Sequence, residues 1–204
     1  MKLRFFFFLC LIAAAAIMSG CRTVPTETSQ PPLGESRRIF SAGDLLIMGI
    51  GRANSRALVD FFLAHNADVD ISKIRRLAAF YVAEARAEGV NPDVAFVQMC
   101  LETGFLRFGG LVTIDMNNFC GLGSIGPGQP GLSFPDEQTG VRAHVQHLKA
   151  YGSSEPLLGD LVDPRYRYVN PKGKSPDVHG LSGTWASDPG YGTKLEALLR
   201  RLYG

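Results

Sequence analysis

The stretch from Asn91 to Gly123 constrains the fold of this chain most, because it joins an apolar helix to an abrupt glycine-rich turn. Asn91 is a typical N-cap, and Pro92 suits the first position of a helix. Gly104 is typical of the left-handed residue that ends one. The pattern therefore predicts a helix from Asn91 to Gly104, followed by an irregular segment that runs to Phe134.

Glu102 lies in the last turn of this otherwise apolar helix. The negative end of the helix dipole and the loss of water both disfavour a carboxylate there, and both raise its pKa. A raised pKa is what a general acid needs near neutral pH. An ordinary exposed glutamate near a helix end is the alternative interpretation, and the residues alone leave both open.

Three blocks of sequence carry a family resemblance: AFVQMCLETG at residues 95–104, NNFCGLG at 117–123 and WASDPGYGTKL at 185–195. Together they resemble the peptidoglycan β-N-acetylglucosaminidase family of bacterial autolysins and flagellar muramidase-like domains. The resemblance extends from about Ser41 to Tyr203. It implies a lysozyme-like α fold, peptidoglycan glycan strands as the substrate and Glu102 as the catalytic acid.

The resemblance also assigns site roles outside Glu102. Tyr191 would orient the substrate's acetamido group or a water molecule. Candidates for binding the sugar are Gln98, Asn117, Asn118, Phe119 and Trp185. Each has a structural alternative, since the asparagines can satisfy backbone turns and the two aromatic side chains can pack in the core.

The second carboxyl group that most glycosidases use is not evident in this sequence. Many relatives place it on a hairpin after the Asn-Asn-Phe block, but residues 119–134 contain no Asp or Glu. The nearest candidates are Asp115, Asp136 and Glu137. We retain Asp136 as a weak second acid, although an N-cap is its more usual role. Otherwise, a distant carboxylate would activate water, or the substrate's 2-acetamido oxygen would assist.

The remaining helices follow from capping residues and apolar spacing. We predict them from Ser55 to about Ala64, from Asp70 to Glu88, from Asp136 or Thr139 to about Tyr151, and from Asp188 and Pro189 to the C-terminus. No clear strand signal competes with them. The prediction is a mostly α, lysozyme-like helical domain with a small irregular or β lobe that forms a substrate cleft.

The N-terminal residues resemble an export signal. Lys2 and Arg4 precede a short apolar run, as in a signal peptide of residues 1–20. The following Met-Ser-Gly-Cys resembles a lipobox, which makes Cys21 the expected lipidation site. Residues 21–40 would form a flexible tether and residues 41–204 the catalytic domain. We therefore expect a monomeric, periplasm-facing lipoprotein of the cell envelope, held to the membrane by lipid.

Charge and cysteine content narrow the function further. Without residues 1–20 the chain carries 19 basic and 19 acidic residues, so no basic field favours nucleic acid. No cofactor is expected, because His144 and His147 lack further metal ligands by spacing and no Cys-x-x-Cys pattern occurs.

Cys100 and Cys120 remain as a possible disulfide or as buried free thiols. The alternative functions are a lytic transglycosylase of the same fold and a non-catalytic peptidoglycan-binding lipoprotein.

Overall fold

Helices provide most of the regular structure in residues 39–204, the part of the chain that the computed structural model describes. They are α1 (Ser55–Leu63), α2 (Ile71–Glu88), α3 (Pro92–Glu102), α4 (Glu137–Gly152) and α5 (Tyr191–Tyr203). Short 3-10 helices occupy Ala42–Leu45, Ile114–Met116, Tyr166–Tyr168 and His179–Leu181. This part of the chain has isolated β-bridges but no β-strand. The predicted mostly α, lysozyme-like helical domain is confirmed.

Helix α3 is the centre of the domain. Every residue from Pro92 to Cys100 is buried, and the helix contacts α1, α2, α4 and α5. A helix that is apolar on all sides needs neighbours on all sides, which explains this position. Its last residue, Glu102, is the first of the helix to be exposed.

The predicted helix starts are confirmed for α2, α3 and α4. Asp70, Asn91 and Asp136 each accept a hydrogen bond from a backbone N–H in the first turn of the helix that follows. For α1 the cap is Asn54 rather than Ser55, a shift of one residue.

The predicted start of α5 is wrong. Asp188 and Pro189 precede the helix, which begins at Tyr191 after an N-cap at Gly190 that makes no side-chain bond. The Asp188 carboxylate instead accepts a hydrogen bond from the Gly190 N–H at 2.8 Å. This local turn uses the side chain that the sequence pattern assigns to the cap.

The predicted buried stripes are confirmed at most positions. Fully or nearly buried members are Leu58, Phe61, Phe62, Ile74, Leu77, Ala78, Tyr81, Ala85, Val141, Val145, Leu148, Leu195, Leu198 and Leu199. Two positions are exceptions: Ile71, at the first position of α2, has 41% of its surface exposed, and Leu202, in the last turn of α5, is only partly buried. Apolar spacing predicts the buried face of a helix well in its middle but less well in its first and last turns.

Helices α2 and α4 run in the same direction and are joined by ion pairs along their length. Glu137 at the start of α4 binds Lys73 near the start of α2 at 2.9 Å. Glu88 at the end of α2 binds Lys149 near the end of α4, also at 2.9 Å, and both side chains are buried. Because these pairs bind the same two helices at both ends, they fix the register of α4 against α2.

The connection between α3 and α4, residues 103–136, is irregular. The small irregular or β lobe predicted here is irregular, with one β-bridge in the connection, between Gly126 and Gln129. This connection approaches α4 closely at Gly140, where a Cβ atom would lie 1.8 Å from the carbonyl oxygen of Asn117. Only glycine therefore allows the Asn117 backbone to lie on α4 at this point.

Asp93 connects the segment before α1 and the last helix to the start of α3. Its carboxylate is fully buried and accepts hydrogen bonds from the N–H groups of Arg52, at 2.6 Å, and Ala53, at 3.0 Å. The hydroxyl of Tyr203 in α5 donates to the same oxygen at 2.7 Å. Phe40 packs on the Tyr203 ring with 6.0 Å between ring centres.

The signal peptide, the lipidation of Cys21 and most of the tether, residues 21–38, lie outside the described residues. From Ile39 onward, none of the helices has the length and apolar character that crossing a membrane requires.

Candidate active site

The end of α3 places Glu102 on the wall of a cavity of about 400 Å³. Thr103 follows the helix as its C-cap, and Gly104 adopts a left-handed conformation with φ 58°. This confirms the predicted helix end. The chain then turns away, which leaves the Glu102 side chain facing the cavity. The other lining residues come from the 103–124 segment and from Trp185 and Ala186.

Two donors bind the same oxygen of Glu102. The indole Nε1–H of Trp185 donates to Oε1 at 2.8 Å, and the hydroxyl of Tyr191 donates to Oε1 through a very short bond. Within residues 39–204 no hydrogen bond reaches Oε2. A proton on Oε1 would face both donors, so an acidic proton of Glu102 belongs on Oε2.

The surroundings of Glu102 raise its pKa above the usual range. Glu102 is exposed at the cavity, but neighbouring protein atoms crowd the carboxyl group and remove much of its water. The hydrogen bonds from Tyr191 and Trp185 oppose this effect, because they stabilise the charged form. Loss of hydration outweighs them, and the predicted upward direction is confirmed.

A buried chain of hydrogen bonds continues from Tyr191 into the core. Gln98 Nε2 donates to the Tyr191 hydroxyl oxygen at 3.0 Å. The Gln98 amide oxygen lies 3.0 Å from Nε2 of His144, and the Tyr81 hydroxyl lies 2.8 Å from His144 Nδ1. We call Tyr81, His144, Gln98 and Tyr191 the relay. It connects α2, α4, α3 and α5 to Glu102.

The donors and acceptors of the relay fit in one direction. Because the Tyr191 proton is used on Glu102, its oxygen accepts from the Gln98 amide N–H. The Gln98 oxygen then accepts from His144 Nε2–H, and His144 Nδ1 accepts from the Tyr81 hydroxyl. This assignment requires a neutral imidazole. Burial lowers the pKa of His144 to about 3, with a smaller contribution from His147, so the ring is neutral at physiological pH.

Trp185 also packs on a group of rings on its other side. Its ring centre lies 5.2 Å from those of His147 and Tyr151, and 5.8 Å from that of His144. His147 is itself held by Asp163, with 2.7 Å between Nδ1 and Oδ2. Trp185 therefore packs against the core, as one of the two alternatives has it, and it also lines the cavity. Its contact with sugar stays a prediction.

Two of the residues predicted to bind sugar are buried. Gln98 has no exposed surface and bonds only within the relay, so it acts on the site through Tyr191. Phe119 also has no exposed surface and packs in the main core, as the alternative interpretation had it. Direct contact of either with a sugar is therefore ruled out in this structure.

The asparagine pair stabilises the irregular connection. Asn118 is buried, and its amide donates to the carbonyl oxygens of Leu122, at 3.0 Å, and Leu132, at 2.9 Å. Asn117 adopts a left-handed conformation and donates to the carbonyl oxygen of Phe134 at 3.1 Å. Asn118 still lines the cavity, but its amide group is used to hold the cavity wall.

None of the three candidates for a second acid lines the cavity of Glu102. Asp136 caps α4, with its carboxylate accepting the N–H of Thr139 at 2.7 Å. Glu137 binds Lys73 and Arg76, both at 2.9 Å. Asp115 is exposed on the short helix Ile114–Met116. Among the lining residues in the described part of the chain, Glu102 alone carries a carboxyl group.

Cys100 and Cys120 are buried free thiols, and no disulfide joins them. Loss of hydration raises the pKa of both well above the usual range, so they behave as small apolar side chains. From Ile39 to the C-terminus, no group of three or more His, Cys, Asp or Glu side chains is placed to hold a metal ion.

Tyr81 and His144 are the site residues that the sequence analysis missed. Apolar spacing predicts the burial of Tyr81, whereas His144 is expected as a surface or hydrogen-bonded histidine. Spacing alone does not show which buried polar groups meet. A usable signal was the pair of buried polar side chains, Gln98 and His144, on two helices predicted to be apolar inside, because such groups require partners.

Comparisons with known proteins support the family resemblance that the three blocks of sequence around this site carry. The model of a family described as mannosyl-glycoprotein endo-beta-N-acetylglucosaminidase matches residues 78–204. A protein of Borreliella burgdorferi, described as uncharacterized, is 38% identical over 152 residues, which are 74% of this chain and 74% of the relative. No solved structure matches the chain.

Proposed function

Because this chain belongs to the endo-β-N-acetylglucosaminidase family, we propose that it hydrolyses the peptidoglycan glycan strand after N-acetylglucosamine, with Glu102 as general acid. The family description names a mannosyl glycoprotein as substrate. The chemistry it describes, cleavage of a bond that follows N-acetylglucosamine, applies equally to peptidoglycan, in which this sugar alternates with N-acetylmuramic acid. The resemblance to bacterial autolysins favours that polymer.

The observation that carries the proposal is the geometry of the Glu102 carboxyl group. Oε1 accepts from Trp185 and Tyr191, whereas Oε2 is left for a proton beside an open cavity. The crowded surroundings raise the pKa of Glu102, so that a protonated population persists closer to neutral pH. A sugar bound in the cavity would offer its bridging oxygen to that proton.

In the proposed mechanism, Glu102 transfers the Oε2 proton to the bridging oxygen as the glycosidic bond breaks. The two donors on Oε1 stabilise the carboxylate that this step produces. Water then attacks the anomeric carbon, and Glu102 takes back a proton from it, which restores the starting state. Tyr191 and Trp185 orient the acid and stabilise its conjugate base.

The substrate's 2-acetamido oxygen serves as the internal nucleophile in this proposal. No second carboxyl group lines the cavity in the described part of the chain, and substrate assistance needs only one protein acid. Since two displacements occur at the anomeric carbon, the first product should retain the β configuration. Proton NMR of the fresh product tests this step, and inversion would assign the nucleophile to water instead.

The location belongs to the same proposal. We infer a monomeric lipoprotein of the cell envelope that faces the periplasm and is attached through lipid on Cys21. The basis is the export signal in residues 1–20 together with a substrate that lies outside the cytoplasm. In this arrangement the peptidoglycan strand and the membrane are the two partners.

Digestion of purified sacculi tests the linkage. The soluble protein is incubated with sacculi, and the products are reduced and identified by mass. We expect new reducing ends on N-acetylglucosamine only. Reducing ends on N-acetylmuramic acid would move the cut to the other linkage. Anhydro-muramoyl ends would identify a lytic transglycosylase, and binding without release would identify a non-catalytic protein.

A Glu102→Gln variant tests the acid itself. Glutamine keeps the shape and the oxygen that accepts from Tyr191 and Trp185 but has no acidic proton. We expect the rate to fall by about 10²- to 10⁴-fold, the range for loss of a general acid, with an unchanged circular dichroism spectrum. A folded variant that retains the wild-type rate would refute this role for Glu102.

A further inference from the structure

A short basic segment beside the active site has no role in the proposed cleavage. Arg165, Arg167, Lys172 and Lys174 lie within ten residues, and residues 164–176 contain no acidic residue. We call these four side chains the basic strip. The described part of the chain has 16 Lys and Arg against 17 Asp and Glu, so a quarter of its cations lie in this one segment.

The strip cations contact aromatic rings instead of carboxylates. Arg165 and Arg167 both lie over the ring of Tyr168, each 4.9 Å from its centre. Lys172 lies over Tyr166 at 4.4 Å and also donates to backbone carbonyl groups. Within residues 39–204 no ion pair involves a strip cation.

The acidic groups near the strip already have other partners. Glu88, whose charge acts on Tyr166, binds Lys149 and the N–H groups of Leu158 and Gly159. Asp163 binds His147 and is 1% exposed. The strip therefore keeps its positive charge on a domain in which positive and negative charges nearly balance overall.

Ring contacts connect the strip to the catalytic carboxyl group. The Lys174 ammonium lies 4.8 Å from the centre of the Tyr151 ring. That ring lies 5.2 Å from Trp185, whose indole donates to Glu102. The strip, in which Arg167 and Lys174 are exposed, thus begins two aromatic rings away from the acid, on the Trp185 side of the cavity.

We propose that the basic strip binds the carboxylates of the peptide stems that branch from the glycan strand, and so favours stem-bearing peptidoglycan. This inference rests on the proposed function. N-acetylmuramic acid carries the stem on the sugar next to the cleaved bond, so its carboxylates lie within reach of a surface beside the cavity. Arginine binds carboxylates with paired N–H groups, and the ring contacts hold the cations in place beforehand.

The test compares soluble glycan fragments that carry stems with the same fragments after an amidase has removed the stems. The variant is Arg167→Gln with Lys174→Gln, since both side chains are exposed and their loss leaves the core intact. The control is Arg75→Gln with Arg86→Gln, which removes the same charge from the exposed face of α2.

We expect wild type and control to prefer stem-bearing fragments. The strip variant should lose about 3- to 10-fold of that preference, because its KM for stem-bearing fragments rises. The preference should also decrease in high salt, as expected for exposed charges. An unchanged preference in the strip variant would refute the proposal. So would an equal loss on both kinds of fragment.

Binding separates this inference from the proposed function. Calorimetry with Glu102→Gln protein measures affinity for both fragments without turnover, so a failure of cleavage leaves the strip testable. Stem-dependent affinity that requires Arg167 and Lys174 would support the strip even in a non-catalytic protein. If the strip charges affect only binding to vesicles of anionic phospholipid, the surface contacts membrane and the proposal is wrong.

Discussion

Glu102 illustrates how much of a site a local pattern predicts at the scale of one residue. The helix end and the apolar flanks predict the direction of its pKa shift, and the structure shows loss of hydration as the main cause. Its two donors lie 83 and 89 residues away in sequence, so no local pattern identifies them. Only the family resemblance places Trp185 and Tyr191 near the acid.

The same limit explains the residues that were misassigned. Gln98 and Phe119 occur in the blocks that carry the resemblance, and that made them candidates for sugar contact. Whether a side chain in such a block faces the ligand or supports a neighbour depends on tertiary packing. Both side chains have no exposed surface, so neither contacts a sugar directly in this structure.

Asp136 provides a test at the residue scale of whether a second acid exists. Asparagine is as good an N-cap as aspartate, but it cannot act as an acid or base. We expect Asp136→Asn to keep the wild-type rate of cleavage. Asp136→Ala should keep the rate as well, but lower the free energy of unfolding by about 0.5–2 kcal/mol. A folded Asp136→Asn protein without activity would make Asp136 the missing second acid.

At the scale of helices, the relay shows that four helices together position the side chains of the candidate active site. Helix α3 contributes both Glu102 and Gln98, while α5, α4 and α2 contribute Tyr191, His144 and Tyr81. Each buried polar group in it has a partner, which is the usual requirement for polar groups in a core. The orientation of one amide therefore depends on a hydroxyl on a helix that never reaches the cavity.

A Tyr81→Phe variant tests this dependence. Without the hydroxyl, neither tautomer of His144 is favoured, and the Gln98 amide can turn its oxygen toward Tyr191. Tyr191 would then donate to Gln98 instead of Glu102. Loss of that donor raises the pKa of Glu102, so we expect the alkaline limb of kcat/KM to move to higher pH.

Tyr203→Phe is the matched control for the relay. It removes another tyrosine hydroxyl, the half-buried one that is bound to Asp93, at the opposite end of α3. Tyr81→Phe should lose about 1–3 kcal/mol of stability, because it leaves His144 Nδ1 buried without a partner. Tyr203→Phe should lose about 0.5–1.5 kcal/mol, because Asp93 keeps its hydrogen bonds from the N–H groups of Arg52 and Ala53. Only Tyr81→Phe should move the pH profile. Identical profiles for both variants and wild type would show that the relay is purely structural.

The ion pairs between α2 and α4 predict how stability depends on pH. Burial alone would raise the pKa of Glu88, but the N–H groups of Leu158 and Gly159 and the Lys149 ammonium lower it overall. A lowered folded-state pKa means that the stabilisation is present above the unfolded value of about 4.3 and is lost as pH falls through the folded value. We therefore expect acid unfolding to begin below about pH 4.

A Glu88→Gln variant checks the contribution of that carboxylate. It should be less stable than wild type at pH 7, by about 3 kcal/mol, because Lys149 is left buried without its partner. The variant should then lose less stability than wild type between pH 5 and pH 3. Glu155→Gln, on the exposed turn after α4, should behave like wild type in chemical unfolding at each pH.

At the scale of the whole molecule, the fold was more predictable than the site. Capping residues and apolar spacing predict all five helices, with an error of one residue at the start of α1 and of two residues at the start of α5. These signals are local. In addition, the middle of α3 is apolar on all sides, so the core is the one environment that suits it. The irregular connection between α3 and α4 was predicted only as a loop, because its shape depends on contacts such as that of Gly140 with Asn117.

Anchoring is a prediction about the whole molecule, and Cys21 is the residue to change. If lipid on Cys21 holds the protein, wild type should be found in the membrane fraction and the Cys21→Ser protein in the soluble fraction. The reason is that the acyl chains supply the membrane affinity. Mass spectrometry of the mature N-terminus provides a direct check. Equal membrane association of both proteins would exclude lipid on Cys21 as the anchor.

The position of Asp93 has a consequence for how an anchored enzyme would work. Asp93 holds the segment before α1 and the last helix at one end of α3, and Phe40 packs on Tyr203 of that helix. Glu102 lies at the other end of α3, roughly 15 Å away along eleven residues. A tether that ended at Ile39 would therefore be attached on the Tyr203 side of the domain, and Glu102 lies at the opposite end of α3. A tether from Cys21 to Ile39 spans at most about 60 Å. Its length would therefore limit how far from the membrane an anchored enzyme could cleave the glycan strands.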